Sequence, residues 1–467
     1  MQTSKGNLLT DSHITIGNDK RGRKVALALR YANRHVLVTG ATGSGKSVSV
    51  MRLCSEFARH GVPVLAFDAK GDLSGLAVNL DGSARPARLF DAFGVSGERA
   101  ALSFARMGAD ATSRALGLSF AQSGAVDVAF AATRSPINSP DDLARALHDL
   151  DASPSARAFG HVSQVSVQVI RRALLRVDRA AFEGAIFDPL GAIESTNGVG
   201  QVGIFDARRL ADSGPLYGAA ICQTMESLYS GLPEIGDAPL PRLALVIDEA
   251  HLLFAGIESQ LLARIERIVR LIRSKGIVLI FASQLPADIP ATIAAQCASR
   301  IQHALRSATP SDARAVQVAA ESLVGSDSST FRAISELKPG EAFVSLVGAN
   351  GAPGNCSRVQ VARPACRIGA LTADERSALF GASAGAPENA SVELLAAPPG
   401  ELPTLIGAIA VAAIIIGAVI YVGGIWQAAI VAAFAVGLYV LRRPLLFIAL
   451  VTGLHHHHSH GRHSRHR

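Results

Sequence analysis

Gly40-Ala41-Thr42-Gly43-Ser44-Gly45-Lys46-Ser47 satisfies the pattern G-x-x-x-x-G-K-[ST] at every fixed position. Glycines at its first and sixth places let backbone N–H groups turn inward and make a concave bed for phosphate oxygens. The apolar run HVLVT precedes the segment and the helix-forming run SVSVMRLCSEFARH follows it. The bed therefore opens onto a helix N-terminus, whose dipole favours anions. In that setting Lys46 is expected to bridge the β- and γ-phosphates and Ser47 to offer its hydroxyl to Mg²⁺, with ATP as the bound nucleotide.

A second chemical element lies two hundred residues on. Ala244-Leu245-Val246-Ile247-Asp248-Glu249 reads as a buried strand that ends in two acids. Asp248 is placed to hold the metal through water, and Glu249 to polarise the water that attacks the γ-phosphate. Two acids capping the helix Ala250–Phe254 is the alternative. Asp248-Glu249-Ala250-His251 echoes a helicase box, but four letters do not carry a family, and His251 reads as a packed helix residue. Gln284 ends the apolar run Gly276–Ser283, where it can sense a γ-phosphate by hydrogen bond. Arg273, just before that run, reads either as a solvated helix end or as a guanidinium that reaches a neighbouring subunit's nucleotide.

Positioning these groups takes a parallel sheet. Short apolar runs recur at His35–Thr39, Val62–Asp68, Gly200–Asp206, Leu243–Asp248, Gly276–Ser283 and Ala342–Val347. Most are continuous and not alternating, as expected of strands buried on both faces. Between them lie amphipathic stretches; in Ile257–Lys275 the residues Leu261, Ile265, Ile268, Val269 and Ile272 share one helical face. Residues 1–30 read as a β-rich lead-in with HITIG and KVALALR as strands. Residues 77–199, alanine-rich, read as a mostly helical insertion without an obvious catalytic cluster. Residues 383–403 read as a Pro/Ala/Gly-rich linker. The fold expected is α/β, a phosphate-loop nucleoside-triphosphatase sheet with a helical insertion.

The averages hide a division. The chain has 467 residues, which suggests about three domain-sized units, a formal charge of +7 and a mean hydropathy of +0.29. Residues 402–441 carry no charged side chain, and Arg442, Arg443, Arg462, Arg465 and Arg467 against Glu401 account for +4. Only +3 remains for the first 400 residues, so charge alone does not make this a nucleic-acid binder, and composition excludes a disordered chain or small disulfide scaffold. The five cysteines are scattered, odd in number and without a C-x-x-C pair, which fits free thiols in a reducing compartment. The N-terminal residues hold no secretory h-region. Leu405–Val422 and Ile425–Leu441, separated by Gly423-Gly424, read as a transmembrane helical hairpin spanning 404–441, with Tyr421 and Trp426 near one interface. Two spans return Arg442-Arg443 to the cytosol. A buried hairpin in a soluble core would show a polar face, and this stretch has none. The tail 442–467, with seven histidines, offers metal or anionic-lipid binding, or is simply a basic tail; it is not an intact six-histidine tag.

Longer segments carry a resemblance. Ala32-Asn-Arg-His35 leads into the phosphate loop, and Asp68-Ala-Lys-Gly-Asp-Leu-Ser-Gly75 follows. IDEAHLLF (247–254), VRLIRSKG (269–276), SQLPADIP (283–290), RIQHALRSATPSDARAV (300–316) and ARPACRIGALTADERSALFGAS (362–383) complete it. In these the chain resembles the HerA-like ATPases of the HerA/FtsK superfamily, more narrowly the bacterial YjgR-like branch, over about 32–383. The resemblance implies a RecA-like sheet over 31–382 and a homo-oligomeric ring, a hexamer, with ATP sites at subunit interfaces and DNA as the leading polymer to be moved. It assigns Lys46 and Ser47 to the nucleotide loop, Asp248 and Glu249 to metal and water, Gln284 to sensing, Arg273 to a trans-acting finger and Asp72 to a supporting role. The 402–454 segment is no part of that pattern. Together these readings place the protein in a bacterial inner membrane with its ATPase part facing the cytoplasm, with a protein partner unspecified.

Overall fold

The computed structural model describes residues 12–150, 162–192, 195–196, 198–236, 238–307, 309–348 and 351–381. The described residues all belong to one compact unit, Met1–Ala386, and residues 382–467 lie outside them. The expected linker, hairpin and basic tail fall there. Among the described residues no helix is long and apolar enough to cross a membrane.

This unit is built on a 12-stranded sheet. Its strands are β1 (His13–Asp19), β2 (Lys24–Ala28), β3 (Val36–Thr39), β4 (Val64–Asp68), β5 (Ala87–Asp91), β6 (Glu98–Arg99), β9 (Val202–Asp206), β10 (Leu243–Ile247), β11 (Ile277–Ser283), β12 (Ser299–Gln302), β13 (Glu341–Ser345) and β14 (Ser357–Val361). β7 (Ser195–Thr196) and β8 (Val199–Gly200) form a separate two-stranded ribbon. The order across the large sheet is β2-β1-β14-β13-β12-β3-β11-β10-β4-β9-β5-β6. From β12 to β6 every pairing is parallel, and from β12 outward to β2 every pairing is antiparallel.

The continuous apolar runs are explained by what covers the sheet. Leu37, Leu65, Phe67, Leu245, Ile247, Leu279 and Phe281 point into one buried cluster, and Val36, Val38, Val64, Ala66, Val246, Val278 and Ile280 into another on the opposite face. Successive side chains alternate as in any strand, but both faces are covered, so no polar alternation survives in the sequence. Helix α1 (Lys46–Arg59) lies over the second face through Val50, Met51, Leu53, Cys54 and Phe57. The helix Gly214–Gly231 and the insertion cover the first. Ser259–Leu271 is helical, as the periodicity of 257–275 requires, and a 3₁₀ turn, Ile272–Lys275, closes it against Gly276 at φ 76°. Glycine tolerates that left-handed cap, and the chain turns there directly into β11.

Two differences from the sequence reading matter. β1 and β2 do not stand apart as a lead-in: Gly17 pairs with Val361, so they extend the sheet beyond β14. Residues 77–199 contain the helices Phe104–Met107, Ala109–Ala115, Phe120–Ala132, Pro140–Asp149 and Gln164–Leu174, but also β5 and β6, which finish the parallel side. A five-residue strand, ARLFD, and a two-residue one leave almost no periodic signal. The insertion also touches the second acidic element. Arg114, buried in its Ala109–Ala115 helix, donates to the carbonyls of Leu252 and Ala255 at 3.2 and 2.9 Å and to that of Leu253. These groups end the short helix His251–Phe254, and a guanidinium there satisfies carbonyls with no partner within the helix.

His35 shows how tightly the centre is packed. It sits at φ 61°, nearly fully buried, with Nδ1 accepting from the backbone N–H of Leu279 at 3.1 Å and Nε2 donating to Val269 O at 2.8 Å. Burial pushes its pKa down to about 4, against the bond to Val269 and aided by the nearby charge of Arg273. The unfolded ring takes up its proton near pH 6.5 and the folded one only near 4. The folded state therefore binds fewer protons in that window, and this contribution to stability is complete above pH 6.5 and is lost as pH falls toward 4. The stability of the protein relative to His35→Gln is accordingly expected to fall by on the order of 1 kcal/mol per pH unit across that window. Urea titrations of both proteins from pH 7 to 4 check this; a constant difference would mean that His35 titrates normally.

Candidate nucleotide site

The site forms at the carboxyl ends of β3, β4 and β10, where the parallel strands release their loops. Gly40, Gly43 and Gly45 have φ of 155°, 79° and 107°. A Cβ on Gly40 would meet His303 Cβ at 2.5 Å and Ser44 Oγ at 2.7 Å, and one on Gly45 would meet the backbone N of Gly340 at 2.9 Å. Both glycines are thus required by conformation and by space. The loop is braced from behind: Ala41 N–H donates to Ala304 O at 2.9 Å, Gly340 N–H to Ser44 O at 3.0 Å, and Gly40 N–H to Gln284 O at 3.2 Å. His303, fully buried, links Ser49 Oγ at 2.8 Å to Glu341 O at 2.9 Å. Burial lowers its pKa to about 4, and the Lys46 charge adds to that, so the ring is a neutral brace.

The predicted acids arrive opposite the loop. Asp248 and Glu249 are 6 % and 4 % exposed and follow β10, which lies between β11 and β4. Glu249 takes φ 45°, a left-handed conformation that costs a non-glycine residue about 1 kcal/mol or more. Its Oε1 lies 3.4 Å from Lys46 Nζ and is paired more closely with Lys70. Its Oε2 faces His251 Nδ1 at 3.1 Å but takes no hydrogen bond. Burial raises Glu249, but the hydrogen bond from Lys70 and the charges of both lysines outweigh it and hold the carboxyl below its ordinary range. Asp248 is raised to about 6 by burial and by Glu249, with Lys46 opposing. Asp68, at the end of β4, is pushed up to about 7 by burial and by Asp248. Its carboxylate accepts from the N–H groups of Gly71 and Leu73 at 2.7 and 3.0 Å. Asp72 Oδ2 accepts from Ser47 Oγ at 3.4 Å, which gives the expected supporting residue a contact.

The structure therefore gathers Lys46, Ser47, Asp248 and Glu249 in one place. Gln284 sits on the same edge, one residue past β11, with its side chain exposed and its carbonyl on the loop. Arg273 does not join them. It stands in the 3₁₀ turn before β11, at the opposite end of a seven-residue strand, roughly 20 Å from the loop edge at about 3.3 Å per residue. There it lines a cavity of about 310 Å³ together with Arg34 and Arg300. Lys70 and His303 escaped the sequence reading as site residues. Lys70 follows β4 by two residues, and only the adjacency of β4 to β10 reveals its target.

The bed suits a phosphate chain: its glycines leave no Cβ in the way, and Lys46 is buried beside the loop with its ammonium facing Glu249. Ser47 and Asp248 would hold a divalent cation. Among the described residues no group of three or more His, Cys, Asp or Glu side chains could hold a metal alone, so such a cation would need further ligands from phosphate and water.

A mostly parallel sheet with a glycine loop at the carboxyl end of β3 and acids at the end of β10 defines a phosphate-loop nucleoside-triphosphatase fold. The chain belongs to the helicase HerA-like C-terminal family, whose family model matches residues 13–390. No curated protein sequence matches it. Among solved structures it is similar to the bacterial conjugative coupling protein TrwB in unbound form, at 18% identity, with 79% of this chain and 91% of that one covered and a TM-score of 0.51. Plasmid coupling protein TrwB in complex with the non-hydrolysable GTP analogue GDPNP matches at 17% identity, 77% and 92% coverage and a TM-score of 0.52. VirB4 of Thermoanaerobacter pseudethanolicus matches at 16% identity, 75% and 96% coverage and a TM-score of 0.54. At such identities the likeness is one of fold.

Proposed function

We propose that the protein is an Mg²⁺-dependent ATPase of the HerA/FtsK type, in the YjgR-like branch, that works as a homo-oligomeric ring of six and moves DNA. The observation that carries this reading is the convergence of Lys46 and Ser47 from the loop after β3 with Asp248 and Glu249 from the loop after β10, on one edge of the sheet. Lys46 binds the phosphate chain, and the loop's N–H groups orient it. Ser47 and Asp248 hold the cation, which supplies charge neutralisation at the phosphate oxygens. Glu249 takes a proton from the attacking water and is kept ionised for this by its two lysines. Gln284 reports on the γ-phosphate from the rim. Arg273 is too far to serve its own loop and acts across a subunit interface, so each site is completed by a neighbour. Residues 404–441 anchor the ring in the inner membrane with the ATPase unit in the cytoplasm.

The weak charge of the first 400 residues, only +3, favours a second reading. In it, ATP controls assembly of a membrane scaffold with a protein partner and no polymer moves. ATPase rates with and without double- and single-stranded DNA, over a salt series, separate the two. A motor is expected to be stimulated severalfold by DNA at low salt, and the stimulation to fade steeply as salt rises, since phosphate contacts release counterions. Indifference to every nucleic acid would leave the scaffold.

A further inference from the structure

The pairing of Glu249 is uneven. Oε1 receives two ammonium groups, Lys46 at 3.4 Å and Lys70 closer, while Oε2 receives no hydrogen bond. Both lysines cannot have the same task. Lys46 belongs to the phosphate loop, is 6 % exposed and lies at the limit of hydrogen-bond reach from the carboxylate. Lys70 belongs to no part of the phosphate bed. Its backbone is pinned by Asp68, whose two oxygens accept from Gly71 and Leu73, and Gly71 holds the turn at φ 90°. Asp68 itself is 1 % exposed, so the turn is rooted in the core.

Register explains why Lys70 arrives where it does. β4 and β10 run parallel with Phe67 opposite Ile247. Three residues past Phe67 and two past Ile247 the side chains of Lys70 and Glu249 meet at the same strand edge. Glu249 gains from such a tether, because its backbone sits in a conformation that non-glycine residues avoid and its other oxygen, facing His251 Nδ1 at 3.1 Å, takes no hydrogen bond.

We propose that Lys70 is a positioning residue for Glu249: it holds Oε1, fixes the carboxylate in its productive orientation and leaves Lys46 free for phosphate. The proposal rests on the reading of Glu249 as the group that activates water.

The test uses the full chain and compares wild type with Lys70→Met, Lys70→Arg and Glu249→Gln. Lys70→Met is expected to lower kcat roughly 10- to 100-fold, the usual loss when the partner that orients a reactive group is removed. The dissociation constant for the non-hydrolysable analogue AMP-PNP is expected to stay within about threefold of wild type, because Lys46 still grips the phosphates. Lys70→Arg restores most of the rate. In a double-mutant cycle Lys70→Met adds little to Glu249→Gln, since the group it positions is gone. Analogue binding also reports that the Met variant is folded, and Lys70→Arg carries the test if it is not.

Three results would overturn the proposal. An unchanged kcat removes the role. A raised kcat makes Lys70 a restraint on Glu249. AMP-PNP binding weakened in step with the rate makes Lys70 a phosphate ligand. If wild type hydrolyses no ATP, or Glu249→Gln is fully active, the underlying reading of the site fails; if those two behave as expected and only Lys70→Met does not, this inference alone fails.

Discussion

Glu249→Gln is expected to lower ATP turnover by about 10²- to 10⁴-fold, the range for loss of a general base, while the nucleotide still binds. The amide keeps the shape of the carboxylate and can still accept a hydrogen bond from Lys70, so the site should hold together. What it loses is basicity, which nothing else in the pocket replaces. Asp248 is committed to the cation in this reading, and Asp68 spends both oxygens on the turn that carries Lys70. Turnover measured beside AMP-PNP binding distinguishes this from collapse of the site. A fully active Glu249→Gln would remove Glu249 from catalysis. Lys46→Ala is expected to fail earlier, at binding, because the loop then has no cation for the phosphates.

Arg273→Ala is expected to be as damaging, at about 10³- to 10⁵-fold, the worth of an arginine that completes a phosphoryl-transfer site from outside. Service to its own loop is ruled out, since β11 separates Arg273 from that loop by its whole length. The decisive form of the experiment is a mixture. Lys46→Ala subunits supply the arginine, and Arg273→Ala subunits supply the loop. In a ring with head-to-tail interfaces, roughly a quarter of the interfaces in an equal mixture join one good loop to one good arginine. Activity should therefore reappear at about that fraction when two inactive proteins are co-assembled. No recovery, with assembly confirmed by size, would return Arg273 to being the end of a helix.

How legible the site was depended on how local its parts are. The phosphate loop and the Asp248–Glu249 pair are contiguous in sequence, with strand and helix signals on either side, and the structure sets them face to face. The parallel strands were legible as apolar runs because both faces are covered. β5, β6 and the parallel β12 were not, because strands of five, two and four residues are too short to carry a period. Lys70, Arg114 and His303 were illegible for a different reason. Each is an ordinary residue whose partner lies on a strand or helix far away in the chain, and strand order is what joins them. Arg273 was legible as a residue type, but its distance from the loop needed the sheet.

The bracing of the phosphate loop also bears on how the protein can be made. The loop motif ends at Ser47, yet the groups that hold it come from Gln284, His303, Ala304 and Gly340, and the first strand, paired early with β2, finds its second neighbour only at β14. A nascent chain emerging from the ribosome therefore presents the complete motif long before it possesses a binding site. The whole stretch between Ser47 and Ile277 must be synthesised and kept from aggregating while β3 still lacks both of its neighbours, β11 and β12. Nucleotide can stabilise only what is already folded, so ATP rewards the finished chain and gives no help to the unfinished one.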